Sequence, residues 1–384
     1  MKLFLWVLAA LLIVCRIPAW AQANWVSQTT PSAAGQLLNV AYGNGVFVAV
    51  AQSGVQRVMT SPDAITWTLR SSADDTMPWY GITFGNGVFV AVANGGGGNR
   101  VMTSTDGEHW TGQIAAANSG WTGVTYGSGL FVAVANSGSG NRVMTSPDGE
   151  HWTGQTAAAA STWRSVTYGA GTFVAVADTG TTQVMTSSDG VHWTGQTAAS
   201  ARSWHSVTFG GGVFVAVAYT FSGQRDLVMR SDNGISWTSV LVESNTWFNV
   251  GYGNGFFVAA GSNRLMTSSD GTNWAFTAPP VYANLRGVTY GIGRFVVVSF
   301  SAADSTKRVI TSSPLPAVAP PAPPLEITAL GPINVSVVPN ISLQGTGTGT
   351  VVANQSGSWT ASTTTQWLSL TASSGGFPGV VAAV

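Results

Sequence analysis

The chain has 384 residues, of which 45% are hydrophobic, only 8% are charged and 47 are glycine. Soluble domains carry about 25% charge, so this is neither a disordered chain nor a solvated helical one. Fifteen basic residues against fifteen acidic ones leave no net field to gather phosphates, which argues against a nucleic-acid partner.

At the N-terminus, Lys2 precedes an apolar run from Leu3 to Cys15 that is too short to span a bilayer, and Ala21-Gln22-Ala23 follows. This is the pattern of a cleaved secretory signal, expected at residues 1–23. Cleavage removes Lys2 and Arg16, leaving 13 basic against 15 acidic residues, and removes Cys15, the single cysteine. Disulfides therefore play no part. Acylation of Cys15 as a lipoprotein is disfavoured by Val14, where a small residue is expected. No later stretch reads as transmembrane. The expected location is outside a bacterial cytoplasm: secreted, periplasmic or at the cell surface.

From residue 38 onward the chain repeats with a period near 42, marked by an aromatic followed by Gly-x-Gly at Tyr42, Phe84, Tyr126, Tyr168, Phe209, Tyr252 and Tyr290. Each marker leads into an apolar run such as Val88 to Ala93, β-branched and too short for a helix. The Gly-x-Gly supplies the positive φ of a tight hairpin back to the preceding strand. A third strand follows, as in Val101 to Ser104, and a Trp after an Asp-Gly turn opens a fourth, as in Trp110-Thr111. Four antiparallel strands per 42 residues predict a propeller blade, and the fold class is all-β. The seventh copy runs into proline after Ser312 without its closing Trp. Trp25 precedes Tyr42 by 17 residues, matching the Trp-to-marker spacing elsewhere, so the N-terminal strand is expected to complete blade 7 and latch a seven-bladed ring over residues 24–313.

The turn Ser-x-Asp/Asn-Gly/Ala-x-x-Trp recurs at Ser61, Ser104, Ser146, Ser187, Ser231 and Ser268. It resembles the Asp-box, or BNR repeat, of sialidase-like propellers, with one residue fewer between Asp and Gly. That resemblance implies a structural role for Asp63, Asp106, Asp148, Asp189 and Asp270, with Asn233 in the fifth blade: capping the turn. Sialidases also use an arginine triad, a tyrosine nucleophile paired with a glutamate, and an acidic donor, and here this chain departs from them. Arg16-Ile17-Pro18 lies in the expected signal. Of the four glutamates, Glu108 and Glu150 occupy equivalent turns, leaving Glu243 and Glu326; the tyrosines outside repeat positions are Tyr80, Tyr219 and Tyr282. A glycosidase usually needs two facing carboxylates, and no pairing of Asp74, Asp75, Asp178, Asp226, Glu243 and Asp304 is visible. His109, His151 and His192 share one turn position in different blades and do not form a metal set. No catalytic residue, metal or cofactor is expected.

Length variation concentrates in loops such as Gln52 to Gln56, Asn94 to Asn99, Tyr219 to Asp226 and Ser299 to Lys307, all expected on one face. Next to it stand Trp79, Trp121, Trp163, Trp204 and Trp247, with Leu37 and Leu285 completing the column. One reading is packing between blades; the other is an aromatic ring at the mouth of the axis, able to stack on sugars or peptide side chains. Arg164, His205 and Arg286 adjoin this column and break the repeat, and they join the five indoles as candidate ligand-binding residues. After the propeller come a proline-rich linker, 314–324, and a module at 325–384. In the latter, Gly357 to Thr360 and Gln366 to Gly376 resemble a BACON or immunoglobulin-like β-sandwich, whole or truncated.

These observations lead to a monomeric, non-enzymatic binding or scaffold protein recognising a glycan or a protein through its variable face. The alternatives are a glycoside hydrolase or lyase of sialidase-like architecture, and a structural or assembly component of the envelope.

Overall fold

The computed structural model describes residues 24–314, apart from 98, 139, 140, 221 and 222, together with two strands near the C-terminus. Among the described residues there is no helix; seven four-stranded antiparallel sheets form the blades of a β-propeller. The expected signal, Cys15, the linker from 315 onward and most of the C-terminal module lie outside the described residues. In that second unit, Val318–Val384, Thr350–Val352 pairs antiparallel with Val380–Ala382.

Blade 3 shows the pattern: Trp121–Gly127 is innermost, then Leu130–Ala135, Val143–Ser146 and, outermost, Thr153–Gln155. The second strand, Phe131 to Ala135, is wholly buried, because blades stack on both of its faces. That is why it reads as a continuous apolar run instead of alternating. Blade 7 takes Ala283–Gly291, Arg294–Ala302 and Val309–Ser312 from one end of the propeller sequence and Trp25–Gln28 from the other. Trp25 pairs with Ser312 and Gln28 with Val309. The N-terminal strand therefore closes the ring, as the spacing of Trp25 predicts, and it covers what would be an open sheet edge.

The aromatic-Gly-x-Gly marker does two jobs. Its second glycine turns the hairpin at positive φ, 77° at Gly129, with Ser128 at 51° before it. Its first glycine is a contact between blades: a Cβ on Gly127 would stand 2.1 Å from Cγ of Tyr168 in blade 4. The same approach joins Gly43 to Phe84, Gly85 to Tyr126, Gly169 to Phe209, Gly210 to Tyr252, Gly253 to Tyr290 and, across the closure, Gly291 to Tyr42. Each aromatic thus lies flat on its neighbour's glycine and tilts against its own second strand, as in Tyr126 and Phe131 with centroids 4.6 Å apart.

On the outer side, Asp148 Oδ1 accepts the backbone N–H of Glu150 and of His151, both at 2.9 Å, and the Ser146 hydroxyl at 2.9 Å. Trp152 Nε1 donates to the Gly149 carbonyl at 2.8 Å. Asp106, Asp189 and Asp270 repeat the arrangement and Asn233 keeps its backbone bonds, so the turn works without the charge. His109, His151 and His192 each bond the aspartate of their own turn and stay apart from one another.

Candidate functional site: the axial channel

The innermost strands carry an irregularity that the repeat conceals. Trp121 pairs with Ala135 and Gly123 with Val134, so Thr122 is an extra residue. The same bulge follows Leu37, Trp79, Trp163, Trp204 and Trp247, and a wider one spans Leu285 to Val288. Bulges re-aim side chains, and this one separates adjacent positions completely.

The residue before the bulge is turned between blades. Trp79, Trp121, Trp163, Trp204 and Trp247 are all 0% exposed. Four of their indole N–H groups are spent on carbonyls of the links between blades: Trp79 on Asp74, Trp121 on Ala117, Trp163 on Ala159 and Trp204 on Ser200, at 3.1–3.3 Å. The expected ring of ligand-stacking indoles is therefore corrected: these side chains are core, and they offer no face to a ligand.

The bulged residues face the axis instead. Leu38, Tyr80, Thr122, Arg164, His205, Phe248 and Arg286, one per blade, line a cavity of about 450 Å³. Asn39, Gln52, Ser165, Ser206, Asn249 and Phe300 complete its polar and aromatic wall. Arg164, His205 and Arg286, singled out in the sequence for breaking the repeat, come together here. Tyr80, Phe248, the two asparagines, Gln52 and Phe300 were missed. The signal for the first two was present: the position after the Trp column differs in almost every blade while the column itself is nearly uniform.

The charges in the channel are unequal. Arg164 Nε sits 2.6 Å from Asp178 Oδ2, and the Thr162 hydroxyl bonds the same carboxylate. Arg286 has no carboxylate within 4 Å among the described residues. Its guanidinium carbon lies 3.5 Å from the centroid of Phe248 and 5.2 Å from that of Phe300, a cation–π arrangement, and its buried Nε finds no acceptor. Burial, with Arg164 nearby, lowers its pKa to about 10, which leaves it charged at neutral pH. His205 packs edge-on against Phe248 with centroids 5.6 Å apart, and its Nδ1 lies 3.1 Å from the Phe248 carbonyl. Burial and the charges of Arg164 and Arg286 lower its pKa to about 4, so the imidazole is neutral at pH 7. A neutral ring beside a carbonyl carries its proton on Nδ1, leaving Nε2 as a base.

Other sequence candidates lie elsewhere. Glu243 pairs with Arg264, Glu108 with Arg70, and Tyr282 is 71% exposed. The described residues hold no cluster of three or more His, Cys, Asp or Glu suited to a metal, and no helix long and apolar enough to cross a membrane.

No family model and no curated protein matches the chain. Solved structures do. A streptogramin B lyase aligns with a TM-score of 0.66 at 11% identity, covering 77% of this chain and 99% of its own. Virginiamycin B lyase from Staphylococcus aureus gives 0.64 at 10%, over 76% and 98%. YCF48 bound to a D1 peptide gives 0.57 at 15%, over 75% and 94%. At such identities the likeness is one of fold, and the chain is a seven-bladed β-propeller of the architecture these proteins share.

Proposed function

We propose that this is a non-enzymatic binding protein, exported from the cytoplasm, which takes part of a peptide or protein partner into the axial channel. The observation that carries the reading is the bulge. In a ring whose blades are otherwise close copies, it sets seven side chains of six kinds around one ligand-sized cavity. The expected stacking of a glycan or a peptide side chain on exposed indoles is lost, because those indoles are buried. The lining contains no carboxylate, whereas glycoside hydrolysis ordinarily uses two. The known propellers of this shape include one bound to a peptide.

One feature favours a second reading, a lyase. A neutral His205 with Nδ1 at a carbonyl can accept a proton at Nε2, and two of the similar folds are lyases. One experiment separates the readings: the full chain is incubated with a random peptide library and a glycan array, and bound molecules are analysed by mass. Selective peptide binding with the peptide recovered intact, weakened in Tyr80→Ala, supports the binding protein. Turnover lost in His205→Gln supports the lyase. Binding to glycans alone returns the reading to carbohydrate.

A further inference from the structure

Which part of a partner the channel takes follows from what its wall has left to offer, and the argument rests on the reading of that channel as a binding site. Oxygen atoms on the wall are largely committed. Asn249 Oδ1 accepts the Val288 N–H at 3.3 Å and Asn39 Oδ1 accepts the Val40 N–H at 2.9 Å. Because both partners are donors, both amides are fixed with oxygen toward the backbone and NH₂ away from it. Ser165 and Ser206 Oγ accept the N–H of Val207 and of Val250, each at 3.2 Å, and Gln52 Oε1 accepts the Tyr80 hydroxyl at 3.1 Å. The Thr122 hydroxyl is spent on the Trp163 carbonyl at 2.8 Å.

Apart from Nε2 of His205, the groups left over are donors, and the cation without a carboxylate partner, Arg286, stands in blade 7. Asn249 is tied to Val288, and Gly287 packs so closely on Asn39 that a Cβ would stand 2.6 Å from the Asn39 Cα. Asn249 in blade 6 and Asn39 in blade 1 therefore stand on the blades to either side of Arg286, whose guanidinium lies over Phe248 and beside Phe300 and faces no carboxylate among the described residues. With its Nε buried and without an acceptor, and with no carboxylate partner among the described residues, the guanidinium is free to meet an anion that enters the channel. Its planar, bidentate geometry fits a carboxylate.

The remainder of the wall says which carboxylate. Leu38 and Val250, on the blades adjoining blade 7, and Val124, Val166 and Val207, farther round the channel, give aliphatic surface on the same wall. One face of the Phe248 ring is covered by Arg286. A cavity of about 450 Å³ takes a short segment, such as the end of a chain. We propose that the axial channel captures the free C-terminus of a partner polypeptide: the terminal carboxylate docks on the Arg286 guanidinium and the Asn39 and Asn249 amides, and an apolar last side chain lies against the valines.

The test uses the full chain and fluorescent seven-residue peptides randomised at their last three positions, each made as free acid and as C-terminal carboxamide. Free acids ending in an apolar residue are expected to bind at least tenfold more tightly than their amides. Arg286→Met is expected to erase that preference, and Arg286→Lys to restore part of it, with thermal melting confirming that each variant is folded. The wild-type acid–amide comparison decides the matter even if neither variant folds. Equal binding of acids and amides overturns carboxylate capture while leaving peptide recognition standing; no binding of any peptide overturns both. Displacement of bound peptide by hexuronate oligosaccharides but not by unlabelled free-acid peptide assigns the donors to acidic sugars and overturns the proposal.

Discussion

Trp121 and Thr122 are neighbours in sequence, yet one is sealed between blades and the other faces the axis. The same split separates Trp163 from Arg164, Trp204 from His205 and Trp247 from Phe248. The first column is nearly uniform because every blade must fill the same space against the next. The second is diverse because no blade packs against it in the same way, so its residues are free to differ. Repetition in this chain marks what holds the ring together, and departure from repetition marks what the ring presents.

The sharpest way to break this contrast is to exchange the roles of the columns. Trp121→Ala empties a wholly buried indole site and orphans the Ala117 carbonyl. It should cost about 3–5 kcal/mol, read as a lowered urea midpoint, whereas Tyr80→Ala in the next column should cost no more than about 1 kcal/mol. Equal losses would mean that the bulge does not divide core from channel.

His205 gives the next effect, and its sign follows from burial. Its folded pKa of about 4 lies below the ordinary 6.5, so between those values the unfolded chain holds a proton that the folded one does not. Its stability contribution is present above pH 6.5 and is lost as pH falls through 4, by up to about 3 kcal/mol. His109 and His151 shift the opposite way, held by Asp106 and Asp148, but both are exposed and are common to the proteins compared. Urea unfolding from pH 7 to 4 should therefore fall more steeply for wild type than for His205→Gln. Parallel curves would mean that the channel leaves the imidazole solvated.

Within the repeated part, the two glycines of one marker can be told apart. Gly127→Ala drives a Cβ into the Tyr168 ring and should cost about 2 kcal/mol. Gly129→Ala meets open space and carries only the penalty of φ near 77°, about 1 kcal/mol. Calorimetry of the two variants checks the order; the reverse order would remove the contact between blades as the reason for the first glycine.

Much of this was legible in the sequence. The period of 42, the apolar second strand and the absent seventh Trp carried blade number, strand order and closure by Trp25. The site was legible only in part. Arg164, His205 and Arg286 stood out because they interrupt a column, but the side that each column faces depends on one extra residue per blade. A bulge leaves no trace in composition and reverses the alternation on which facing is read. That is why five tryptophans beside the mouth suggested a platform when they are the packing beneath it. Gln52 and Phe300 come from the far end of second strands, where nothing local ties them to the axis.

Arg286→Met is the smallest expected change in stability and the most informative about the second column. Removing one partner of a buried ion pair is expensive because the other charge is stranded. Arg286 has no such partner among the described residues, and its Nε is already without an acceptor. A methionine of similar length keeps the contact with Phe248 and relieves the cost of desolvating the guanidinium, so the urea midpoint should move by less than about 1 kcal/mol, in either direction. A loss of several kcal/mol would show that the guanidinium anchors the blade 7 closure. A nearly unchanged midpoint would show a charge that the fold does not need, which leaves Arg286 free to serve what enters the channel.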